Sequence, residues 1–88
     1  MLQKYLVEFL GSLFFIYVIL ATGSPIAIGA ALALAIIVGG PVSGGNFNPA
    51  VTIVMAAARK MPLSDVAPYI ISQIAGGMVA LELFKYKK

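Results

Sequence analysis

The chain has no cysteine and no histidine, and only three acidic side chains among its 88 residues. Without cysteine there is no disulfide and no thiolate nucleophile, and without either residue the common zinc sites are excluded. The acids, Glu8, Asp65 and Glu82, are scattered rather than paired, so acid–base catalysis lacks its usual constellation and an enzyme is not expected. No metal or other cofactor is expected either. Charge of either sign is scarce: 10% of residues are charged and 61% are hydrophobic, against roughly 25% charged in soluble domains, and the mean hydropathy is +1.03. A soluble domain of this length needs a polar skin over a modest core. This chain has none, and its expected solvent is the bilayer. The net charge of +3 comes from small basic groups at the edges of apolar segments. They form no stripe of the kind that binds nucleic acid, and read instead as headgroup anchors.

What is present is three long apolar segments and one short one. Tyr5 to Ala21, "YLVEFLGSLFFIYVILA", carries Glu8 as its one charge and predicts a span over about 5–22. A signal peptide with Lys4 as its n-region is an alternative that the acid and the length of the run fit poorly. "TGSP" makes a turn with Pro25 at the start of a second span over about 26–42. Its Gly29, Ala30, Ala33 and Ala35 offer small faces for close helix approach. The third span covers about 66–84, with "AGG" at 75–77, Ala80, and a basic tail "KYKK" at an interface. Ser64 is a cap candidate for it, with Asp65 helping to start the helix. The expected protein is a single all-α unit over residues 1–88, integral to a membrane and crossing it several times.

Between the second and third spans stands "SGGNFNPAV", Ser43 to Val51. Irregular backbone survives at membrane depth only where it is buried in protein or lines a wet cavity. Asn48 followed by Pro49 is a strong helix start, since asparagine caps well and proline at the first position gives up an N–H that had no intrahelical partner. Gly44 and Gly45 let the backbone turn and bare its carbonyls. Pro49 to Arg59 makes only about 16 Å of helix, roughly half a membrane. The segment 43–59 therefore reads as a re-entrant loop ending in a half-helix, whose positive dipole end and Asn48 amide donor lie near the bilayer midplane. Such a site donates hydrogen bonds and repels cations, which suits small neutral molecules such as water. The alternative is a surface loop followed by a helix lying on the membrane.

"SGGNFNPAVT" resembles the first signature loop of the aquaporin or major intrinsic protein family, in which Asn-Pro-Ala caps a half-helix in the middle of a water or glycerol pore. "EFLGS" at Glu8 to Ser12 is similar to that family's first helix, and "YIISQIAGGMVA" at Tyr69 to Ala80 to its third. The resemblance implies that Asn48, Pro49 and Ala50 are the pore motif, and that Glu8 and Gln73 hold the loop whose turn Gly44 begins. From the residues alone, Glu8 snorkelling to the interface and Gln73 making an ordinary interhelical hydrogen bond stay open.

The family's usual chain is two such units in tandem with inverted topology, and one unit supplies a single half-helix and an open side. The resemblance thus implies half of an aquaporin fold completed by an antiparallel partner, most simply a second copy inserted upside down, within a possible higher assembly. The basic residues agree with insertion both ways: Lys4, Arg59 and Lys60 fall on one side, Lys85, Lys87 and Lys88 on the other, so the bias that sets orientation is nearly absent. By offset the family's constriction maps to Ile28, Ile36, Gly45 and Val51. Val51 stands where the second-half motif of the family has arginine, and no histidine is available for the filter of water-selective members. Packing or lipid contact is the other reading of Ile28, Ile36 and Val51. A further departure is Asn46, where many members have histidine. The expected function is a passive channel for water or small neutral solutes such as glycerol. Other readings are a dual-topology proton-coupled transporter with Glu8 as carrier, and a non-conducting partner of another aquaporin half.

Overall fold

In the computed structural model, residues 2–87 are described, and Lys88 of the basic tail lies outside them. Three long helices and one short one follow in order: α1 (Leu2–Thr22), α2 (Pro25–Ser43), α3 (Pro49–Ala57) and α4 (Val66–Lys87), the last entered through a 3-10 turn at Leu63–Asp65. Apolar chain in lipid must satisfy every backbone group within its own segment, which selects helix for each long run. All three long helices are long and apolar enough to cross a membrane. The fold is all-helical, with three membrane spans and one short helix, as half of the two-unit architecture requires.

Local chemistry sets the ends. Gly23 takes φ 60 and closes α1, with its N–H on the Ile19 carbonyl at 3.0 Å. Ser24 caps α2 through its hydroxyl on the Ala27 N–H at 3.2 Å, and Pro25 fills the first helical position. At the far end of α2, Gly44 takes φ 89 and donates to the Gly40 carbonyl, a left-handed cap that a Cβ would oppose. The third span differs from expectation at its start. Ser64 lies within the 3-10 turn and does not cap α4, and Asp65 turns to α1: its carboxylate receives Lys4 Nζ at 2.6 Å and Tyr5 Oη at 2.7 Å. This clamp also puts Lys4 and the 59–62 connection at the same end of the molecule.

The core lies between α1 and α4, which run parallel and touch through backbone. A Cβ on Gly76 would strike the Phe9 carbonyl, and one on Gly77 would lie 2.8 Å from Ile16 Cδ1. Small residues at a helix interface are what permit this approach. On α2, Ala31 and Ala35 are buried, whereas Gly29, Ala30 and Ala33 remain exposed. The small face expected on α2 is therefore only partly used within this unit. α3 is about 14 Å long by its nine residues, and packs on α4.

Candidate functional site

The site grows from the five residues between α2 and α3. Gly44 and Gly45 both have positive φ, 89 and 67, and Phe47 follows at 54. For phenylalanine that backbone is unfavourable, and its ring shows what holds it there. The ring is buried between α1 and α2 in a slot left by Gly11 and Gly39, where a Cβ on Gly11 would enter the ring and one on Gly39 would come within 3.2 Å of it. Phe47 and Pro49 border the same hollow as Ile16 and Gly77, residues near the middle of α1 and α4. The half-helix thus begins at mid-depth and runs back toward the end marked by Lys4 and Asp65.

Beneath the loop lies a buried polar web, with Gln73 Oε1 and Ser12 Oγ the buried side-chain atoms that find no hydrogen-bond partner among the described residues. Glu8 is 0% exposed, so it does not snorkel. Its Oε1 accepts from the Phe47 N–H and from Gln73 Nε2, both at 2.8 Å, and its Oε2 from Ser43 Oγ at 2.8 Å and the Asn46 N–H at 3.1 Å. A carboxylate offers about four lone-pair sites, and all are used. Gln73 does not reach the loop backbone. It joins Glu8 to Thr52 Oγ1, the latter at 2.8 Å. Thr52 also accepts from Asn46 Nδ2 at 3.2 Å and donates to the Asn48 carbonyl at 3.0 Å, so its hydroxyl is fully engaged. Asn46 Nδ2 lies 3.3 Å from Met61 Sδ as well, and Tyr69 Oη donates to the Ser43 carbonyl at 2.7 Å.

On the other side the loop is open. Asn48 Oδ1 accepts from the Ala50 N–H at 2.7 Å and the Val51 N–H at 3.4 Å, which fixes the amide so that Nδ2 points away from the cap. Among the described residues Nδ2 has no hydrogen-bond partner, and Asn48, Pro49, Ala50 and Val51 are all exposed. A free donor thus sits beside the positive end of a helix dipole. Ile36 is 42% exposed and Val51 41%. Ile36 packs on Gly45, where a Cβ would be 3.3 Å from its Cγ1, so two of the four constriction candidates meet. Ile28 stands apart, half-buried and two turns nearer the start of α2, about 12 Å along the axis. Val51 borders a separate shallow apolar hollow with Ala50, Val54 and Met55. Among the described residues no group of acidic, histidine or cysteine side chains gathers to hold a metal.

Sequence reasoning missed Ser43, Thr52, Tyr69 and Met61 and gave Asn46 no role. One signal was available. The buried residues Tyr69, Gln73, Gly76 and Ala80 recur along one face of α4, as Glu8 and Ser12 do on α1, so polar and small residues at helical spacing mark the inward faces.

The family model described as major intrinsic protein matches residues 1–87. Among curated proteins the chain is similar to "Glycerol uptake facilitator protein-like 6" of Lactiplantibacillus plantarum, 44% identical over 90% of this chain and 41% of that protein. It is also similar to "Nodulin-26" of Glycine max, 34% identical over 90% of this chain and 34% of that protein. A third is "Aquaglyceroporin AqpS" of Rhizobium meliloti, 41% identical over 66% of this chain and 25% of that protein. The chain spans less than half the length of each of these relatives. No solved structure matches at a significant level. The matched length and the three-span architecture together establish that the chain belongs to the major intrinsic protein family, a family of membrane channels and not of enzymes.

Proposed function

We propose that this chain forms half of a passive channel for water and small neutral solutes such as glycerol, closed by a second unit of inverted topology, most simply another copy of itself. The observation that carries the reading is Asn48: its Oδ1 is held by the half-helix N–H groups while Nδ2, on an exposed face, has no partner among the described residues. A donor fixed in that way serves a passing acceptor oxygen, and a second one brought by the inverted unit, with its facing helix end, opposes cations. In this reading Asn48, Pro49 and Ala50 are the pore motif, and Ile36 and Gly45, which meet within one unit, make an apolar constriction that Val51 and Ile28 join only across the second unit. Such a lining favours solutes with some carbon surface, consistent with the printed name of the glycerol-facilitator relative. Among the described residues Lys4, Arg59 and Lys60 lie toward one end and Lys85 and Lys87 toward the other, a small difference that supports insertion in both orientations. A proton carrier at Glu8 loses its support, because both carboxylate oxygens are buried and each accepts two hydrogen bonds from the protein.

The test is stopped-flow shrinkage of liposomes holding only this chain, with sucrose and then glycerol as osmolyte. Fast shrinkage, re-swelling in glycerol, and loss of both in Asn48→Asp are expected. Protein that is folded yet shrinks its liposomes no faster than empty ones would defeat the self-completed channel and point to a different partner half.

A further inference from the structure

The end of α3 holds a feature that goes beyond the charge balance used in the channel reading. Lys60 N–H donates to the Met55 carbonyl at 2.8 Å and Arg59 N–H to the Ala56 carbonyl at 3.0 Å, the paired bonds of a helix stop whose left-handed residue is usually glycine. Here that residue is Arg59, at φ 62. A side chain kept in a backbone state that disfavours it directs attention to what the side chain does.

Arg59 and Lys60 are both exposed, and among the described residues neither side chain has an ion-pair partner. The chain's three acids are all committed elsewhere. Glu8 is sealed beneath the loop, Asp65 is taken by Lys4 and Tyr5, and Glu82 lies near the opposite end of the molecule, 3.4 Å from Lys85. Among the described residues, therefore, these two adjacent cations find no acidic side chain on their own chain, which leaves them open to an anion from outside it.

The surroundings narrow the choice of anion. Arg59 and Lys60 rim a shallow, open concavity whose other lining residues are Ala56, Ala57, Met61, Pro62 and Leu63, with Leu63 79% exposed. Inorganic phosphate has a use for the cations alone. A phospholipid uses both parts: its phosphate meets the guanidinium fork and the ammonium, and its glycerol and first methylenes lie on the apolar walls. We propose that Arg59, Lys60 and this concavity form a binding site for an anionic phospholipid headgroup at the outer end of the half-helix. The site belongs to a single copy of the chain and holds whether or not solute passes.

Favourable placement of cations at the negative end of a helix is the competing explanation, and the test separates the two. The purified chain is incubated in micelles with equal phosphatidylglycerol and phosphatidylcholine, and retained lipid is counted by native mass spectrometry. A preference for phosphatidylglycerol is expected, falling about fivefold for each basic residue removed in Arg59→Gln and Lys60→Gln, and surviving in Lys85→Gln/Lys87→Gln at the opposite end. Arg59→Gly is the decisive variant: glycine suits the left-handed position, so the thermal midpoint should hold or rise while the lipid preference falls. An unchanged preference in Arg59→Gln/Lys60→Gln overturns the proposal. So does loss of the preference on adding millimolar inorganic phosphate, which would assign the site to a free anion.

Discussion

The two sides of the re-entrant loop obey opposite rules. On the side of α1 and α4, Glu8, Ser43, Asn46, Thr52 and Gln73 are all buried and bind one another at 2.8–3.2 Å. On the other side Asn48, Val51 and Ile36 are exposed, and Asn48 Nδ2 has no partner among the described residues while its Oδ1 holds the cap. A buried polar group needs a partner within the fold, because none can be recruited from lipid, and of the five buried side chains only Gln73, at Oε1, leaves a buried atom without one among the described residues. A group destined for a passing solute must instead be left without one. The sealed side therefore makes the loop, and the open side presents it. One unit is sufficient for the first task, and in the reading above only a second unit completes the second.

The comparison breaks hardest at Glu8. Glu8→Ala removes the acceptor of four donors. Gln73 Nε2 retains Thr52 and Ser43 Oγ retains the Gly39 carbonyl at 3.4 Å, but the N–H groups of Asn46 and Phe47 are orphaned. At 1–3 kcal/mol for each unsatisfied buried donor, the expected loss is about 4 kcal/mol. Reversible unfolding of the micellar protein in dodecyl sulfate, followed by circular dichroism, measures it. A loss below about 1 kcal/mol would mean that the web does not hold the loop.

A smaller loss is expected where the sealed side depends on packing instead of polarity. In Gly76→Val the new Cβ meets the Phe9 carbonyl and lies 3.1 Å from the Leu13 nitrogen, atoms of a helix backbone that have no rotamer to yield. α1 and α4 must part, at a cost of about 3 kcal/mol. Gly29→Val is the matched control, because nothing lies within 4 Å of a Cβ there. Equal destabilisation by the two in the same unfolding assay would show that backbone contact between α1 and α4 is not what holds the core.

The half-helix was legible in sequence because its causes are local. Asn48 and Pro49 are adjacent, and the acceptor of the cap lies two residues from its first donor. Glu8 and Gln73 were reached by family resemblance, since their bond joins residues 65 apart. Ser43, Tyr69 and the Lys4–Asp65 clamp were not reached at all. In a soluble helix an apolar stripe points to the core, but here the outward faces are apolar too, as Leu10, Ile37, Val38 and Ile71 show by their exposure. Hydrophobic periodicity is then silent, and only small and polar residues at helical spacing mark what turns inward. Asp65 misled for a related reason: an acid just before a helix reads as part of its cap, and nothing local announces that Lys4 and Tyr5 will claim it.

The smallest expected effect tests the open side. Val51 is 41% exposed on α3, and its surroundings decide what a charge would cost there. Facing hydrocarbon near the bilayer centre, an arginine costs about 2.5–3.5 kcal/mol. Facing a water-filled path, it extends into solvent, and the change falls within about 0.5 kcal/mol, as for other surface substitutions. Val51→Arg is therefore expected to unfold at nearly the same dodecyl sulfate concentration as the parent, while glycerol re-swelling of its liposomes falls at least several-fold because the guanidinium narrows the path. Destabilisation near 3 kcal/mol would instead put Val51 against lipid. The face that carries Asn48 would then be an outer surface of the protein, and the contrast between a sealed side and a solute-facing side would fail at the residue where it is easiest to test.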